Sequence, residues 1–582
     1  MAGRRRHRGE HGSGYQESEA TGEAGKTMSQ DNVLRIEERG GDLLRDPRLN
    51  KGTAFTEAER VALGLEGLLP HQVATLEEQV VRVLANFRRK ESPLEQYIYL
   101  RSLQDRNETL FYAALVDHIE EMMPVVYTPT VAEAVEEFSH IFRSARGLYV
   151  TPEDADRMEM LFENAPCDEV GVIVCTDNEG ILGIGDQGTG GMAIPIGKLA
   201  LYVAVGGFRP EQCLPICLDV GTENEALLDD PLYLGVKAPR LRGEAYHEFI
   251  GAFVDGVKQH APQAVLQWED FSRANAFDNL ARYRDEVTSF NDDIQGTAGV
   301  AVAALMGAAN LAGRDFADDV VCIIGAGGAG VGVALGIIAA LQVAGVDAEE
   351  ARRRVYVVDS KGLVADDRDD LAAYKKVVAF PAGELADWPR RSLHDIIRNA
   401  RPTALIGLSG HPGAIDAESA RLMASVNERP AIFPMSNPTS KAEAVPEDLL
   451  RWTDGRAIIA TGSPFEPVEY GGRIHAFSQA NNVYVFPGVG LGAYTCGASM
   501  ISDGMFSAAA RKLSELVEDD DRERGLVLPP VSDLRQIAAE VGAAVVGSAT
   551  EEGLARDRLQ RYTAADLRAD MYTPYYDEYR PA

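Results

Sequence analysis

The sequence contains little cysteine: six residues among 582, none of them in a Cys-x-x-Cys pair. A chain this long with so few, scattered cysteines is not a disulfide-stapled secreted scaffold, because such scaffolds are short and rich in cysteine. The cysteine usage therefore predicts a reduced, cytoplasmic protein with buried thiols.

Long apolar runs and a surplus of positive charge are also missing. No uninterrupted run of about 18 apolar residues occurs, and the sequence therefore predicts no membrane-spanning helix. The chain has 57 basic and 89 acidic residues, a net charge of −32. Nucleic acids and anionic membranes require a positively charged face, so the composition argues against both as partners.

The first residues are basic, but no apolar segment follows them, so they do not form a secretory signal. Residues 1–32 are mostly glycine and polar side chains with almost nothing to bury, and we expect a disordered tail there. The rest of the chain exceeds the size that one hydrophobic core usually serves, so several domains are expected.

The hydrophobic pattern divides the remainder into one helical part and two α/β parts. Apolar residues recur every three or four positions from Leu76 to Phe87, which predicts helices up to about residue 148. Apolar strands, such as Cys213–Leu218, then alternate with helical stretches, and the alternation resumes at residue 320. Alternating strands and helices predict mainly parallel sheets, so the expected fold is multidomain α/β.

A glycine-rich turn follows the predicted strand at residues 320–324 and fits G-x-G-x-x-G. In this pattern Gly325 makes the tight turn, Gly327 lets the backbone approach a pyrophosphate, and Gly330 lets a helix pack on the strand. That helix is expected from residue 331, and its N-terminus supplies positive potential. Asp359 ends the next strand, where it would bind the adenosine ribose of NAD. A glycine-rich packing turn without a ligand is the alternative.

The cofactor is less clearly specified than its site. Asp359 would repel the 2′-phosphate of NADP, which favours NAD. Lys361 and Lys375 follow within a short distance, and a lysine there could meet that phosphate. NAD is therefore the expected cofactor, and NADP stays open.

Two acidic pairs follow predicted strands of the first α/β part. Glu269-Asp270 comes after the strand at residues 264–268, and Asp292-Asp293 follows Phe290-Asn291. Carboxylates at strand ends are costly to bury unless they are paired or hold a metal, and Mg²⁺ or Mn²⁺ prefers such oxygen ligands. Helix N-capping by Asp270 and Asp293 is the alternative.

Two further residues suit acid–base chemistry. Lys198 is a lone lysine in an apolar stretch, and burial would lower its pKa toward neutrality, as a general base requires. Tyr127 follows Val125-Val126 in a predicted loop or strand end, where its hydroxyl could act as a general acid. A surface lysine and a merely packed tyrosine are the alternatives.

Taken together, these motifs resemble the malic enzyme family, in family order from about residue 50 to the end. The matching blocks are Val125-Val126-Tyr127-Thr128-Pro129-Thr130-Val131, Ile181-Leu182-Gly183-Ile184-Gly185-Asp186, Ile194-Pro195-Ile196-Gly197-Lys198-Leu199, Leu218-Asp219-Val220-Gly221-Thr222, Glu269-Asp270-Phe271, Phe290-Asn291-Asp292-Asp293-Ile294-Gln295-Gly296-Thr297, Ser436-Asn437-Pro438-Thr439, Thr461-Gly462-Ser463-Pro464-Phe465 and Asn481-Asn482-Val483-Tyr484.

The resemblance implies a role for each matching residue. The implied metal ligands are Glu269, Asp270 and Asp293; the general base is Lys198, with Asp292 as its acidic neighbour, and the general acid is Tyr127; Asn437 and Asn482 hold a malate carboxylate, with Asn437 also beside the cofactor; Gly325, Gly327, Gly330 and Asp359 bind the dinucleotide; and residues 407–410 form a second glycine turn near the nicotinamide.

The same resemblance implies an activity and an organisation. The activity is oxidative decarboxylation of L-malate to pyruvate and CO₂, with reduction of NAD or NADP and with Mn²⁺ or Mg²⁺, in a homodimer or homotetramer. The implied division is a tail at 1–32, a helical domain at 33–148, a catalytic domain at 149–294, a Rossmann-type domain at 295–481, a return to the catalytic domain at 482–540, and a C-terminal helix and tail at 541–582.

One departure from the family pattern keeps other functions open. Many members have Arg at the position of Gly180, where it would grip a substrate carboxylate. Glycine there is similar to the malolactic branch, which releases L-lactate without net cofactor reduction. A catalytically inactive nucleotide-binding regulator is a third possibility. Arg82 and Arg106 match positions that bind fumarate in some animal members, but solvated surface arginines are the preferred interpretation.

Overall fold

The computed structural model describes residues 33–167, 169–181, 183–385, 388, 391–556 and 562–582. The predicted tail at residues 1–32 lies outside these residues, as does Leu182 of the second motif block.

Strands of the described residues form two main sheets and two small ones. The strands are β1 Val33–Ile36, β2 Leu148–Val150, β3 Val172–Thr176, β4 Cys213–Leu218, β5 Val265–Glu269, β6 Ser289–Asn291, β7 Val321–Ile324, β8 Val355–Asp359, β9 Gly362–Leu363, β10 Ala404–Gly407, β11 Ala431–Pro434, β12 Ile458–Thr461, β13 Val468–Tyr470, β14 Arg473–His475, β15 Ser478–Gln479 and β16 Glu578–Pro581.

Helices surround these sheets and form the N-terminal part. They are α1 Gly40–Leu43, α2 Glu57–Ala62, α3 Leu76–Phe87, α4 Pro93–Gln104, α5 Glu108–Asp117, α6 Ile119–Val126, α7 Thr130–Glu136, α8 Phe138–Ile141, α9 Met158–Glu163, α10 Ala193–Ala204, α11 Glu225–Asp229, α12 Glu244–His260, α13 Arg273–Tyr283, α14 Thr297–Leu311, α15 Gly328–Val343, α16 Ala348–Arg353, α17 Ala373–Lys376, α18 Leu393–Ala400, α19 Ala417–Val426, α20 Pro446–Trp452, α21 Phe486–Thr495, α22 Asp503–Glu515, α23 Asp519–Glu523, α24 Leu534–Glu551 and α25 Ala564–Asp570.

The N-terminal part is helical, as the apolar periodicity predicts. The Thr75 side chain accepts a hydrogen bond from the Glu78 N–H and caps α3, whose apolar face is buried. The sequence analysis did not anticipate that α6 includes Pro124 and continues to Val126, so that Tyr127 directly follows a helix. Strand β1 was also not predicted; it pairs in parallel with β16 at the far end of the chain.

The first sheet has the order β2-β4-β3-β5-β6 and is parallel throughout. In its register Thr176 lies opposite Glu269, and Trp268 lies opposite Asn291. The carboxyl ends of β5 and β6 therefore meet at one edge, which is where α/β sheets commonly place ligands. This register brings the two acidic pairs of the sequence together.

The second sheet has the order β15-β12-β11-β10-β7-β8-β9, with only β9 antiparallel to its neighbour. Helix α15 begins at Gly328, three residues before the predicted start, because Gly327 already forms its N-cap. A second helix, α16, follows the turn at Gly345 and accounts for the long spacing before Asp359. The order and the crossovers are those of a doubly wound nucleotide-binding sheet.

Helix α14 lies in the shared core and contacts α15 and α22. With the turn before it, the stretch Asp292–Leu311 is long and apolar enough to cross a membrane by length and composition alone. Of its most apolar window, 78% is buried inside the protein, as in the central helix of a packed core. All six cysteines lie within the described residues, and none of them forms a disulfide.

Candidate active site

Lys198 lies in the middle of α10, a helix that is buried along its whole length. Its side chain is only 1% exposed, so the alternative of a surface lysine is wrong. The Nζ atom lies 2.7 Å from a Glu269 carboxylate oxygen and also forms an ion pair with Asp292. The lysine therefore joins the carboxyl ends of β5 and β6.

The expected direction of the Lys198 pKa shift was wrong for this arrangement of charges. Burial alone lowers the pKa of the ammonium, but Asp292 and Glu269 outweigh it and raise the pKa well above the ordinary value. A buried cation between carboxylates keeps its proton more tightly than one in an apolar pocket. The pKa of Lys198 thus depends on whether another positive charge balances Asp292 and Glu269.

Three carboxylates form a cluster beside this lysine. Oxygens of Glu269, Asp270 and Asp293 lie within 4.8 Å of one another. Burial raises the pKa of Glu269 well above its usual range and that of Asp293 to about 6, although Lys198 opposes both shifts. So many buried anions beside a single ammonium fit a divalent cation, which prefers oxygen ligands.

The helix-capping alternative for these aspartates does not hold. Ser272 caps α13, and Asn291 caps the helical turn Asp292–Gly296 that precedes α14. Asp270 instead adopts a positive φ of 56° after β5, and its N–H donates to Asp293 Oδ2 at 2.9 Å. The carboxylate oxygens of Glu269, Asp270 and Asp293 converge at this bend, whereas Asp292 pairs with Lys198.

Tyr127 follows the last residue of α6 and lies against the lysine. Its ring centroid is 5.5 Å from Lys198 Nζ. A glycine at 197 permits this approach, because a Cβ atom there would lie 2.5 Å from the Val126 carbonyl oxygen. Burial raises the pKa of the Tyr127 hydroxyl, with Lys198 opposing, so the phenol holds its proton at neutral pH.

Two residues of this cluster were missed by the sequence analysis. Gln267 accepts a hydrogen bond from the Tyr202 hydroxyl at 2.5 Å, and its Nε2 donates to Glu269 at 2.9 Å, which orients that carboxylate. The Phe486 ring lies 4.9 Å from Lys198 Nζ. A polar glutamine inside an apolar strand was the available signal for the first; Phe486 had none.

The two predicted asparagines belong to different surroundings. Asn482 Nδ2 donates to Asp292 Oδ2 at 3.0 Å and to Thr297 Oγ1 at 3.1 Å, so it joins the lysine cluster. Asn437 follows β11 of the second sheet, and Ser463 Oγ donates to its Oδ1 at 2.6 Å. Their predicted contact with a malate carboxylate stays a prediction.

The glycine turn after β7 combines close packing with an open face. Gly325 has φ of 116°, and a Cβ atom there would lie 2.3 Å from the Leu408 carbonyl oxygen, within the second glycine turn. A Cβ atom at Gly330 would lie 1.8 Å from the Gly325 carbonyl oxygen. At Gly327 the nearest atom would be Arg273 Nε at 3.8 Å. Close packing alone accounts for Gly325 and Gly330. Gly327, at the N-terminus of α15, has open space beside it that a ligand could occupy.

Arg273 is a further residue that the sequence analysis missed. It is the first residue of α13 and lies beside the N-terminus of α15, where an anion is favoured. Its position four residues after Glu269 could have indicated this role, because the loop that carries the acidic cluster then also reaches the glycine turn.

Asp359 ends β8 as predicted, but two cations already bind it. Arg368 donates to both carboxylate oxygens, at 2.9 and 3.0 Å, and Lys375 Nζ donates at 3.0 Å. Burial would raise the pKa of Asp359, but the hydrogen bonds from Arg368, from the Lys361 N–H and from Lys375 lower it to about 2. Its ribose contact stays a prediction, and Arg368 was not anticipated.

Gly180 presses against the loop that carries the acidic cluster. Its N–H donates to the Asp270 carbonyl oxygen at 2.7 Å, and a Cβ atom there would lie 2.1 Å from the Phe271 carbonyl oxygen. Any side chain at this position requires the backbone to shift.

Arg82 and Arg106 lie in the helical N-terminal part of the protein. Both are exposed, and they line one cavity of about 300 Å³.

Comparisons with known proteins give one consistent result. The family model described as malic enzyme, N-terminal domain, matches residues 104–284, and the model described as malic enzyme, NAD binding domain, matches residues 294–550. The chain is 45% identical over 555 residues to a protein of Aeromonas hydrophila named NAD-dependent malic enzyme, covering 95% of this chain and 98% of that one. A protein of the same name from Pseudomonas savastanoi is 45% identical, covering 94% and 98%.

Solved structures agree with these matches. A malic enzyme from Pyrococcus horikoshii is 25% identical, with a TM-score of 0.53 and coverage of 78% of this chain and 88% of that chain. A malic enzyme from Entamoeba histolytica is 22% identical, with a TM-score of 0.54 and coverage of 87% and 90%, and supports the fold alone. The buried lysine between two carboxylates, the acidic cluster and the glycine turn thus accompany near full-length identity to named relatives, and the chain belongs to the malic enzyme family.

Proposed function

We propose that the protein oxidises L-malate with NAD and decarboxylates it to pyruvate and CO₂. The observation that carries the proposal is the burial of Lys198 between Glu269 and Asp292, with Tyr127 alongside. One group able to take a proton and one able to give a proton thus flank the same point, as a two-step reaction on one substrate requires.

A divalent cation, Mn²⁺ or Mg²⁺, is the metal that Glu269, Asp270 and Asp293 would hold. When bound, it would supply Lewis-acid polarisation of the substrate oxygens. Gln267 keeps Glu269 oriented toward that position through its Nε2 hydrogen bond. The N–H of Asp270 does the same for Asp293.

Lys198 would accept the proton of the malate C2 hydroxyl, and bound NAD would supply the acceptor for the hydride on C2. Lys198 must be neutral to accept this proton. The carboxylates around it raise its pKa and therefore determine whether it is neutral. A cation held by Glu269, Asp270 and Asp293 would offset part of the negative charge around Lys198, so that burial would favour its neutral form. Asn482 holds Asp292 in place on the opposite side of the lysine.

Tyr127 supplies the proton that the substrate needs after CO₂ has left. Loss of CO₂ leaves an enolate, and protonation at C3 gives pyruvate. Tyr127 retains its proton because burial raises its pKa. With a divalent cation bound by the carboxylates, Lys198 would be the neutral proton acceptor and Tyr127 the protonated donor.

NAD is the cofactor that we expect, as in the names of the relatives. Its pyrophosphate would lie at Gly327 and the N-terminus of α15, with Arg273 balancing the charge. Arg368 and Lys375 at Asp359 keep NADP open as a poorer alternative, because they could meet a 2′-phosphate. A homodimer or homotetramer in the cytoplasm stays a prediction.

A malolactic reaction, which gives L-lactate, is the second candidate, and Gly180 is the observation that favours it. The backbone at Gly180 contacts Asp270 and Phe271 too closely for an arginine to be added without movement. The site therefore lacks one carboxylate clamp that many family members have. Without this arginine–carboxylate pair, the affinity of the site for the keto-acid product should be lower.

One assay separates the candidates. Purified protein is given L-malate, Mn²⁺ and either NAD or NADP, while reduced nicotinamide is followed by absorbance and the organic acids are identified by chromatography. Reduced cofactor with equimolar pyruvate is the expected result. Lactate without reduced cofactor would establish the malolactic reaction, and nucleotide binding without any product would contradict both.

A further inference from the structure

A second cavity lies at the opposite edge of the nucleotide-binding sheet. It has a volume of about 460 Å³ and is lined by the residues just before β11 and β12, by the β13–β14 hairpin and by α23. The glycine turn that follows β7 lies at the carboxyl edge of this parallel sheet. Because a strand of four residues spans at least about 10 Å, the cavity is separate from the cofactor site.

Arginines dominate this cavity in a protein that is otherwise strongly acidic. Arg429, Arg456 and Arg473 line it, and none of the three forms an ion pair with a residue in the described part of the chain. Their hydrogen bonds run to backbone carbonyls: Arg429 to Leu311, Arg456 to several, and Arg473 to Glu523. Backbone carbonyls orient a guanidinium without neutralising its charge.

The acidic residues nearby are mostly used elsewhere. Asp519 pairs with Arg522 at 2.7 Å, and Asp521 pairs with Arg524 at 3.3 Å, so these two aspartates are engaged by arginines of their own segment. Glu428 and Glu523 also line the cavity and leave part of the positive charge unopposed.

The surplus of positive charge affects the pKa of Arg429. Burial lowers its pKa, and the neighbouring Arg473 and Arg314 lower it further, while Glu428 opposes them. Arginines this close repel one another unless an anion lies between them. Guanidinium groups are also the side chains that bind phosphate and carboxylate groups in two-pronged fashion.

We propose that this cavity binds a small multivalent anion of the phosphate or polycarboxylate class, with Arg429 and Arg473 as the contacting cations and Arg456 as an oriented neighbour. The site differs from the Arg82 and Arg106 cavity, which lies in the helical N-terminal part. It also differs from the malate and NAD sites, so binding there does not compete with substrate.

The test is calorimetric titration of the full chain with pyrophosphate and, separately, with citrate. Saturating NAD occupies the glycine turn, and EDTA removes divalent metals that either anion could chelate. Ionic strength is held constant with chloride. The variants are Arg473→Gln and Arg429→Gln, and the control is Arg398→Gln, which removes one positive charge of the same domain that pairs with Glu418.

We expect saturable binding of at least one anion, and the stronger anion identifies the class. Arg473→Gln and Arg429→Gln should each weaken it about tenfold, the loss of one charge-assisted contact. Arg398→Gln should change the affinity less than about twofold, and kcat/KM for malate should be unchanged in Arg473→Gln. Absence of binding by both anions, or equal weakening in Arg398→Gln and Arg473→Gln, would overturn the proposal.

Discussion

Two charge clusters of the protein have opposite balances. Around Lys198 the carboxylates outnumber the cation, and the pKa of Glu269 is raised well above its usual value. Around Asp359 three cations (Lys361, Arg368 and Lys375) face two carboxylates (Asp359 and Asp370), and the pKa of Asp359 is lowered to about 2. The first cluster is fully enclosed, whereas the second is partly open to solvent.

The difference shows which charge each site still lacks. An enclosed surplus of carboxylates is costly unless protons or a cation balance it, and this balance supports the proposed metal site at the first cluster. A partly exposed surplus of cations needs no partner to be stable but attracts anions. Changing one residue in each cluster should therefore have effects of different kind and size.

The largest effect is expected where the surplus is enclosed. Lys198→Ala should lower kcat by at least about 1000-fold, because it removes the proton acceptor of the first step. NAD affinity, measured by quenching of protein fluorescence, should stay within about twofold. Lys258→Ala, which removes an exposed lysine paired with Glu286, is the matched control. Retained turnover in Lys198→Ala would remove this residue as the base.

The next effect tests the metal directly. EDTA should abolish activity, and Mn²⁺ or Mg²⁺ should restore it in the wild type. Glu269→Gln keeps the shape of the side chain but removes a charge, so we expect Mn²⁺ affinity to fall at least about tenfold in an electron paramagnetic resonance titration. Glu286→Gln, at the surface, should bind Mn²⁺ normally. Equal Mn²⁺ binding by all three proteins would contradict the assignment.

A smaller effect is expected at the cluster with surplus cations. Asp359→Ala removes the predicted ribose contact and leaves Arg368 and Lys375 without this partner. The ratio of kcat/KM for NAD over NADP should fall about tenfold, since one charge-assisted interaction is lost and a phosphate becomes acceptable. Asp367→Ala, which removes a carboxylate that pairs with Arg391, should leave the ratio unchanged. An equal loss with both cofactors would remove the ribose contact.

The smallest effect concerns pH and the metal-free protein. The pKa of Asp293 is about 6 in the folded state, above its value in an unfolded chain, so the folded form binds the proton more tightly. The stability that this group contributes is present at low pH and is lost as pH rises through about 4 to 6, by on the order of 1 kcal/mol or more.

Urea unfolding in EDTA at several pH values checks this sign. Relative to Asp293→Asn, the wild type should lose stability as pH rises through that window, and Mn²⁺ should reverse the loss in the wild type alone. A wild type that gains stability relative to the variant over the same window would show that the cluster is already balanced.

The fold was predictable where local pattern determines structure. Helix α3 follows from apolar residues at three- and four-residue spacing, the buried strands follow from continuous apolar runs, and the glycine pattern located the turn at Gly325. The pairing of β1 with β16 was not predictable, because its two short segments carry no pattern and lie at opposite ends of the chain. Partners at such a distance are specified only by the assembled fold.

The candidate site was predictable by residue but not by charge. Lys198, Tyr127 and the acidic pairs could be named from the sequence, yet the raised pKa of Lys198 depends on Glu269 and Asp292, which the fold brings from two other strands. Arg368 at Asp359 was missed for the same reason. Electrostatics follows from three-dimensional neighbours, which spacing along the chain does not reveal.

The pairing of β1 with β16 has a consequence for synthesis on the ribosome. Arg35 and Pro581, which are hydrogen-bonded, are separated by 546 positions. The buried Lys51 likewise donates to the Asp577 carbonyl. At a synthesis rate of about 5–20 residues per second, Arg35 and Lys51 are made at least about half a minute before these partners. During this time Phe55 and the other apolar residues that pack with Tyr579 lack this partner, and a chaperone that binds the emerging chain would protect this segment for the longest time.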